Sequence, residues 1–309
     1  MINNEDVIRV SKEYGFDMIG FAKAEILNRE FDHYTAWLKN GYQSGMKYME
    51  KNQSKRKDVN EIFSRAKSVI SLGLNYYTPH KYSGNKSNGK ISRYAWGKDY
   101  HLVIWDKLFQ LIQKFKEIDN KFEGISYVDT GPIMDKAWSV RAGIGWQGKH
   151  ANIINKEYGS WFFIANIITN YEFEYSKQIE DFCGTCTACI DACPTRAIIE
   201  PYMIDSNKCI SYHTIENKEE IPIELKGQFQ NWIFGCDLCQ DVCPWNIKFS
   251  QSTSINDFCD AEDKKEFSLK KVMELTEEEF ASLFANSPIK RTKLKGLKRN
   301  AAFLIESNH

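Results

Sequence analysis

The sequence has no excess of either charge, because its 309 residues carry 41 lysines and arginines against 41 aspartates and glutamates. A neutral chain has no overall attraction to nucleic acid or anionic lipid, so a local patch must supply any such contact. Residues 1–17 lack a basic segment followed by an apolar one, and they lack paired arginines, which excludes a recognisable export signal. The longest apolar runs, such as 161–168, are too short to cross a bilayer. These absences indicate a soluble cytoplasmic protein.

Hydrophobic periodicity and turn residues predict alternating helices and strands over residues 1–175, which favours one α/β or α+β domain. Helices are predicted over 4–14, 29–38, 99–118 and 132–142, with Pro132 in the first turn of the last one. Strands are predicted over 16–22, 68–76, 125–128 and 161–169, and the composition of 78–90 predicts a loop. Cysteine dominates residues 176–250, and residues 251–309 are predicted to be helical and charged.

Eight of the nine cysteines lie between Cys183 and Cys243. Residues 183–194 read C-x2-C-x2-C-x3-C-P, and residues 236–244 repeat this pattern without its first cysteine, which Cys209 can supply from upstream. A [4Fe–4S] cube takes four thiolates, and in two-cluster ferredoxins the cysteine before proline ligates the other cluster. The predicted ligands are therefore Cys183, Cys186, Cys189 and Cys243 for one cluster, and Cys193, Cys209, Cys236 and Cys239 for the second.

Two structural zinc sites are the alternative explanation of these cysteines. Zinc prefers two CxxC pairs separated by a longer loop, and the C-x2-C-x2-C-x3-C-P run fits that arrangement poorly. Cys259 has no partner at a suitable spacing and is interpreted as an ordinary thiol. A simple electron carrier would need little more than the cysteine segment, whereas about 175 residues precede it here. The added length favours an enzyme whose catalytic centre lies in the first part of the chain.

Five stretches outside these runs resemble the epoxyqueuosine reductase family. They are ISRYAWGKDYH at 91–101, VDTGP at 128–132, RAGIGWQGK at 141–149, GSWFF at 159–163 and CISYHTIE at 209–216, in the order found in the family. The resemblance implies an α+β protein with an N-terminal α/β cobalamin-binding catalytic domain (1–175), a ferredoxin-like domain with two [4Fe–4S] clusters (176–250) and a short helical C-terminal segment (251–309). Longer members add a helical-repeat domain, and this chain resembles the short form without it.

The same resemblance implies the reaction and the cofactor. The family reduces epoxyqueuosine to queuosine at the wobble position of tRNA, with cobalamin and electrons from two [4Fe–4S] clusters. The sequence lacks the D-x-H-x-x-G pattern that presents a histidine to cobalt, which fits a family that binds cobalamin without a histidine ligand. A reductive dehalogenase and an iron–sulfur electron-transfer protein are the two alternative functions. Dehalogenases usually carry a twin-arginine signal, which is absent here, and a carrier would bind no corrin.

Asp129 matches the catalytic aspartate of the family, so the resemblance implies that it donates a proton. Donation near neutral pH requires a raised pKa, which burial beside a corrin ring would provide. From the residues alone, a helix-cap or turn aspartate before Pro132 is the alternative. The resemblance also implies cofactor contacts, of which Ala95 stands where some members have cysteine and would leave the cobalt face open. The implied cofactor-binding residues are Arg56, Tyr94, Ala95, Asp129, Lys149, Ile153, Ser211 and Asp237.

A cluster of cations near the C-terminus is the best candidate for contact with the anticodon stem-loop of tRNA. Its members are Lys290, Arg291, Lys293, Lys295, Lys298 and Arg299. Such a patch would bind phosphates, and a solvated helix face is the alternative. Wobble-base recognition also needs aromatic side chains for stacking, which the sequence alone does not single out. The further expectations are an unidentified electron donor, no membrane partner and a monomeric chain.

Overall fold

The computed structural model describes residues 1–259 and 262–307, without the side chain of residue 262. In chain order its helices are α1 (Asn4–Glu13), α2 (Asn28–Lys39), α3 (Gln53–Lys57), α4 (Tyr100–Ile118), α5 (Asp135–Arg141), α6 (Ala188–Asp191), α7 (Leu238–Asp241), α8 (Pro244–Phe249), α9 (Asn256–Cys259), α10 (Leu269–Glu274), α11 (Glu277–Leu283) and α12 (Lys293–Ser307). Its strands are β1 (Met18–Lys23), β2 (Ser68–Asn75), β3 (Asn88–Ile91), β4 (Gly124–Tyr127), β5 (Trp146–Gln147), β6 (Ile153–Ile154), β7 (Phe162–Thr169), β8 (Ile198–Glu200), β9 (Met203–Ile204), β10 (Trp232–Phe234) and β11 (Glu266–Ser268). This content confirms the predicted α+β class.

The main sheet has the strand order β1-β2-β7-β4, and every neighbouring pair is antiparallel. Side chains on β2 alternate between the two faces, so Ile70 and Leu72 join a core with α1 and α4 while Val69 joins a second core with α5. On α4, the buried residues Ile104, Leu108, Leu111 and Phe115 recur every three or four positions, the spacing that lines one helical face. The sheet therefore carries α4 and α5 on opposite faces.

Close packing holds α5 against the sheet. Gly20 on β1 lies where the end of α5 crosses it, and a Cβ atom added there would lie 1.9 Å from the carbonyl oxygen of Ala142. Only glycine permits this approach. The loop between β4 and α5, which carries Asp129, is therefore fixed at one end by the sheet and at the other by a tightly packed helix.

Three predictions about elements differ from the structure. The helix predicted from Pro132 begins at Asp135, because residues 128–134 form a turn in which Asp129 has a left-handed backbone (φ 57°). The predicted loop 78–90 ends in strand β3, which pairs in parallel with β10. The predicted helical segment 251–309 contains strand β11, which pairs with the other edge of β3. Both pairings join residues far apart in the sequence, so local patterns gave no signal for them.

Packing crosses the predicted boundaries at residues 175 and 250. Strand β3 precedes both boundaries, yet its partners lie on the far side of each. Ile91 and Trp96 share an apolar core with Phe234, Leu297 and Leu304. The three-part division stays a prediction, and the stretch 91–96 connects the first part to the other two.

Candidate functional site

The eight clustered cysteines form two groups in space. Burial, together with negative charge on Cys183, Cys243 and Cys186, raises the pKa of Cys189 to about 11. Burial also raises the pKa of Cys236, with further contributions from Cys239 and Cys209. The pKa of Cys209 is raised by burial and by Cys193. These neighbours are the two sets of four that the spacing predicts, with each cysteine before proline lying in the opposite set.

Neither group resembles a site for a single ion. Within residues 1–259 and 262–307, no three His, Cys, Asp or Glu side chains are arranged to hold one metal ion. A [4Fe–4S] cube makes a different demand, because each of its thiolates binds a separate iron. All nine cysteines are unpaired thiols in the structure. The assignment of each thiol to a particular cluster stays a prediction.

Lys149 ties the first cysteine group to the turn between β5 and β6. Its ammonium donates to the carbonyl oxygens of Gly184 (2.6 Å) and Cys186 (2.9 Å). Burial raises the pKa of the Cys183 thiol, whereas the Lys149 backbone N–H and the Trp146 indole N–H lower it. The Lys149 ammonium is thus bound to the loop that carries Cys183 and Cys186. Its predicted contact with the corrin would require it to leave these carbonyls.

Asp237 and Ser211 support the second cysteine group. Asp237 is 1% exposed and accepts hydrogen bonds from the Ser92 hydroxyl, the Arg93 backbone N–H (2.8 Å) and the Tyr82 hydroxyl (3.3 Å). This anchor joins the SRY stretch to the loop that carries Cys236. The hydroxyl and backbone N–H of Ser211 both lower the pKa of Cys209, although burial raises it overall. Both residues lie beside cysteines, and their contact with the cofactor stays a prediction.

Asp129 lies in a concave part of the surface. Its side chain is 66% exposed, yet burial by the surrounding protein is the largest single influence on its pKa, so it projects into an open recess rather than onto a convex face. We call this the Asp129 recess. The side chains whose charges or hydrogen bonds act on Asp129 define it: Tyr48, Tyr94, Tyr100, His101, Asp135, Lys136 and Arg291.

Asp129 is held by contacts with Tyr100 and His101, and His101 is held in turn by Asp99. The Tyr100 hydroxyl donates to its Oδ2 at 2.7 Å, and His101 Nε2 lies 3.6 Å from the same oxygen. On the other side of the imidazole, His101 Nδ1 lies 2.8 Å from Asp99 Oδ1. Tyr100 is itself fixed between two rings, stacked on His101 at 4.1 Å and on Phe163 at 4.2 Å. The start of α4 therefore presents a rigid aspartate–histidine–aspartate chain to the recess.

These contacts set the protonation states at neutral pH. Burial raises the pKa of Asp129, but the neighbouring His101 and the hydrogen bond from Tyr100 outweigh it and hold the pKa below its ordinary value. Burial lowers the pKa of His101, but the carboxylates of Asp129 and Asp99 overcome this and raise it from 6.5 to about 9. In the structure the proton therefore resides on His101. The raised pKa expected for Asp129 does not occur in these surroundings.

Charged groups from the start of α5 form another wall. Burial, with the charge of Asp129, raises the pKa of Asp135 to about 7, and Asn166 donates to its carboxylate at 2.9 Å. Burial lowers the pKa of Lys136, whose ammonium donates to Ala151 O (2.8 Å) and Asn152 Oδ1 (3.0 Å). Sequence reasoning missed both residues. In the sequence they are marked only by their position shortly after the motif aspartate Asp129.

Four of the predicted cofactor residues lie around the recess or beneath its walls. The Arg56 guanidinium on α3 donates to Ile133 O (3.5 Å), and its positive charge lowers the pKa of Asp135. Tyr94 lies beside Tyr100, with ring centroids 6.2 Å apart. Ala95 and Ile153 are 0% and 2% exposed and pack in apolar cores, so direct contact with a ligand would require their neighbours to move. The open face expected at Ala95 is therefore absent.

The C-terminal cations separate into two kinds. Arg299 donates to the backbone carbonyls of His213 (2.7 Å), Asn217 (2.8 Å) and Glu219 (2.6 Å), so it is part of the internal structure. Arg291 makes a bidentate pair with Glu216 at 2.9 and 3.0 Å and is still 55% exposed. The exposed members are Lys290, Lys293 and Lys295, and Lys298 is half-buried.

Comparison with known proteins relates this site to characterised sequences and structures. Residues 56–130 match a family model described as "Epoxyqueuosine reductase QueG", and residues 182–246 match one described as "4Fe-4S double cluster binding domain". An epoxyqueuosine reductase of Leadbetterella byssophila is 48% identical over 294 residues, which cover 95% of each chain. One of Cellulophaga algicola is 47% identical over 290 residues, or 94% of each chain. A crystal structure of epoxyqueuosine reductase with an epoxyqueuosine-modified tRNA-Tyr stem loop matches with a TM-score of 0.91 at 33% identity, covering 97% of this chain and 80% of that one.

Proposed function

This chain belongs to the epoxyqueuosine reductase family, and from that premise we propose that it reduces epoxyqueuosine to queuosine at the wobble position of tRNA. The observation that carries the proposal is the anchor between the SRY stretch and Asp237, which joins the Asp129 recess to the second cysteine group. A reductase must bring electrons and protons to one place. Here the parts of the chain suited to each task are held together by buried hydrogen bonds.

The cysteine segment provides for electron delivery. It is a 4Fe–4S double cluster binding domain, and iron–sulfur clusters suit the passage of single electrons. The charge of Cys189 acts on Cys239, so the two cysteine groups are near neighbours. We assign one cluster to Cys183, Cys186, Cys189 and Cys243, and the other to Cys193, Cys209, Cys236 and Cys239. Cys186, the exposed ligand, marks the side on which an electron donor would approach.

The residues of the recess fit cobalamin, which is a wide ring edged with amide groups and joined to one phosphate. Such a group needs cations, carboxyl groups and unpaired polar atoms around an open space. Arg56 and Lys136 are the cations, and Asp135 is a carboxyl group that is half-protonated near neutral pH. His101 Nε2 is a buried polar atom that lies 3.6 Å from Asp129 Oδ2, beyond hydrogen-bond distance, and has no hydrogen bond within the described residues. Cobalamin bound here would supply a redox-active metal centre able to accept electrons one at a time.

The reaction must balance two electrons and two protons. Both C–O bonds of the epoxide break, a carbon–carbon double bond forms, and the oxygen leaves as water. The electrons come from an external donor, and the protons must come from groups that reach the oxygen. Asp129 is the exposed acid in the recess, so it is the residue placed to hand a proton to the substrate.

His101 accounts for the proton that Asp129 delivers. At neutral pH the proton is held by the imidazole, which faces Asp129 Oδ2 at 3.6 Å. Transfer from His101 to Asp129 places the proton on the residue that contacts the substrate. Asp99 stabilises the protonated imidazole before the transfer and again when it is reprotonated. Tyr100 keeps the receiving oxygen in position. His101 thus acts through Asp129 and positions the proton rather than touching the substrate.

The tRNA contact is assigned to the exposed members of the basic patch. Lys290 lies close enough to Asp99 to lower its pKa, so this end of the patch borders the recess. Lys293, Lys295 and Lys298 follow on α12. Phosphates bound by these lysines would bring an anticodon loop close to Lys290 and the recess. Arg299 is left out of the proposed interface because its guanidinium N–H groups donate to backbone carbonyls inside the protein.

Nucleoside analysis of tRNA from a deletion strain tests the proposal. Loss of the gene should replace queuosine with epoxyqueuosine, and the wild-type gene should restore queuosine. Asp129→Asn should fail to restore it while the purified variant retains its iron and its cobalamin. The matched control is Asp106→Asn, an exposed aspartate on α4, which should restore it fully. Normal queuosine in the deletion strain, with no second reductase present, would contradict the proposal.

A further inference from the structure

Two planar side chains lie in contact at the edge of the Asp129 recess. The Tyr48 ring is 44% exposed, and the Arg291 guanidinium carbon lies 6.0 Å from its centroid, within cation–π range. Unstacked bases in RNA loops commonly stack on the exposed face of an aromatic ring or a guanidinium plane. We propose that Tyr48 and Arg291 form a stacking seat for the unstacked wobble base of a tRNA anticodon loop. This inference rests on the proposed function, because it names how that substrate is held.

Tyr48 is held in place before any ligand arrives. It lies in the one-turn 3-10 helix Lys47–Glu50. The hydroxyl of Tyr34 donates to the carbonyl oxygen of Met49, and the backbone N–H of Gly45 donates to the hydroxyl of Tyr212 at 2.9 Å. A Cβ atom on Gly45 would lie 2.6 Å from that hydroxyl oxygen, so the turn fits closely against the stretch that carries Cys209. A fixed aromatic ring loses little freedom when a base stacks on it.

Arg291 is fixed in the same way. Its Nε and Nη2 atoms donate to the two carboxylate oxygens of Glu216, which is only 20% exposed. A bidentate pair of this kind holds the guanidinium in one plane. The plane remains 55% exposed, so one of its faces can receive a base. A solvated surface ion pair would explain the contact with Glu216 but not the nearby aromatic ring.

The seat lies on the way to the catalytic carboxyl group. Burial raises the pKa of Tyr48 to about 12 although nearly half of its ring is exposed, which indicates a concave position. The charges of Asp129 and Arg56 also act on Tyr48, and the charge of Asp129 acts on Arg291. Lys290, next to Arg291, borders the other side of the recess through Asp99. A base seated here would therefore adjoin Asp129, with the phosphates near the lysines.

The test uses binding rather than turnover. An anticodon stem-loop with 2-aminopurine at the wobble position is titrated with full-length protein, because stacking quenches the fluorescence of this base. Tyr48→Ala should weaken binding between about fivefold and a hundredfold and abolish the quench, since one base stack contributes roughly 1–3 kcal/mol. Tyr48→Phe should behave like wild type, and Arg291→Lys should lose the quench while keeping the charge. Phe109→Ala removes an even more exposed ring (65% exposed) from α4 and should change nothing.

The outcomes separate this inference from the proposed function. If wild-type protein does not bind the stem-loop, the proposed function fails. If wild type binds and quenches but Tyr48→Ala does so equally well, the stacking seat is wrong and the proposed function stands. Cobalamin affinity and thermal unfolding are measured on the same variants. A Tyr48→Ala protein that loses cobalamin yet binds RNA normally would assign the ring to the cofactor and overturn the inference.

Discussion

Replacing His101 with glutamine removes the imidazolium that faces Asp129, and the structure sets the size of the expected effect. Burial lowers the pKa of His101, but the carboxylates of Asp129 and Asp99 raise it to about 9. At pH 7 roughly 99% of the wild-type imidazole is therefore protonated. The single-turnover rate should be flat from pH 6 to 8 and fall tenfold per pH unit above about 9. His101→Gln should lose this dependence and react about 10²–10⁴-fold more slowly.

Charged neighbours determine where the fall begins. Asp99 and Asp129 face the imidazole directly, and the cations Lys290 and Lys136 act on those two carboxylates. Asp99→Asn removes one negative charge and should move the fall in rate towards neutral pH. The stability of the fold depends on pH in the same direction as the rate. Because the folded pKa of His101 lies above its ordinary value of 6.5, its contribution to folding is complete below pH 6.5 and is lost as pH rises through about 9.

The assay mixes pre-reduced protein carrying its cofactors with an epoxyqueuosine stem-loop and quantifies the nucleosides after an acid quench. Thermal unfolding across the same pH range reports the stability term. His33→Gln, which changes an exposed histidine on α2, is the matched control and should leave both profiles unchanged. A wild-type rate that falls near pH 6.5, or an unaltered fall near pH 9 in His101→Gln, would refute the reasoning.

Two further predictions concern residues whose charged groups donate to backbone carbonyls inside the protein. Lys149→Met removes a cation that binds the carbonyls of Gly184 and Cys186, so the first cluster should become harder to reduce, with a more negative potential in an EPR titration. An unchanged potential would show that this lysine has no electrostatic effect on the cluster. Arg299→Ala leaves three backbone carbonyls without their donor and should cost about 2–4 kcal/mol of unfolding free energy, whereas Lys298→Ala should cost almost none. Equal unfolding curves for the two variants would contradict the interior role of Arg299.

The sequence predicted what local chemistry determines. The cysteine spacing predicted a segment with two clusters, and the family model described as a 4Fe-4S double cluster binding domain matches that segment over residues 182–246. The helices α1, α2 and α4 and the strands of the main sheet followed from periodicity and turn residues. Strands β3 and β11 escaped detection because their partners lie more than a hundred residues away in the chain. The late start of α5 escaped because the left-handed backbone at Asp129 is uncommon for a residue other than glycine.

The site shows the same limit. Asp129 was found through a motif, but the proton on His101 depends on a contact between residues 28 positions apart, which no pattern in the sequence reveals. Lys149 and Ala95 lie within motifs, and membership of a motif does not tell whether a side chain faces a cavity or the interior. In the structure one binds the cysteine loop and the other is fully buried. Side-chain direction, rather than residue identity, was the missing information.

The central claim is that the Asp129 recess binds cobalamin and reduces epoxyqueuosine with electrons from the cysteine segment. The most direct measurement is single-turnover conversion of an epoxyqueuosine stem-loop by anaerobically reconstituted protein, with and without cobalamin and with chemical analysis of the bound metal. Queuosine should form only when cobalamin and iron are both present. Conversion without cobalamin, or zinc in place of iron in an active protein, would contradict the claim.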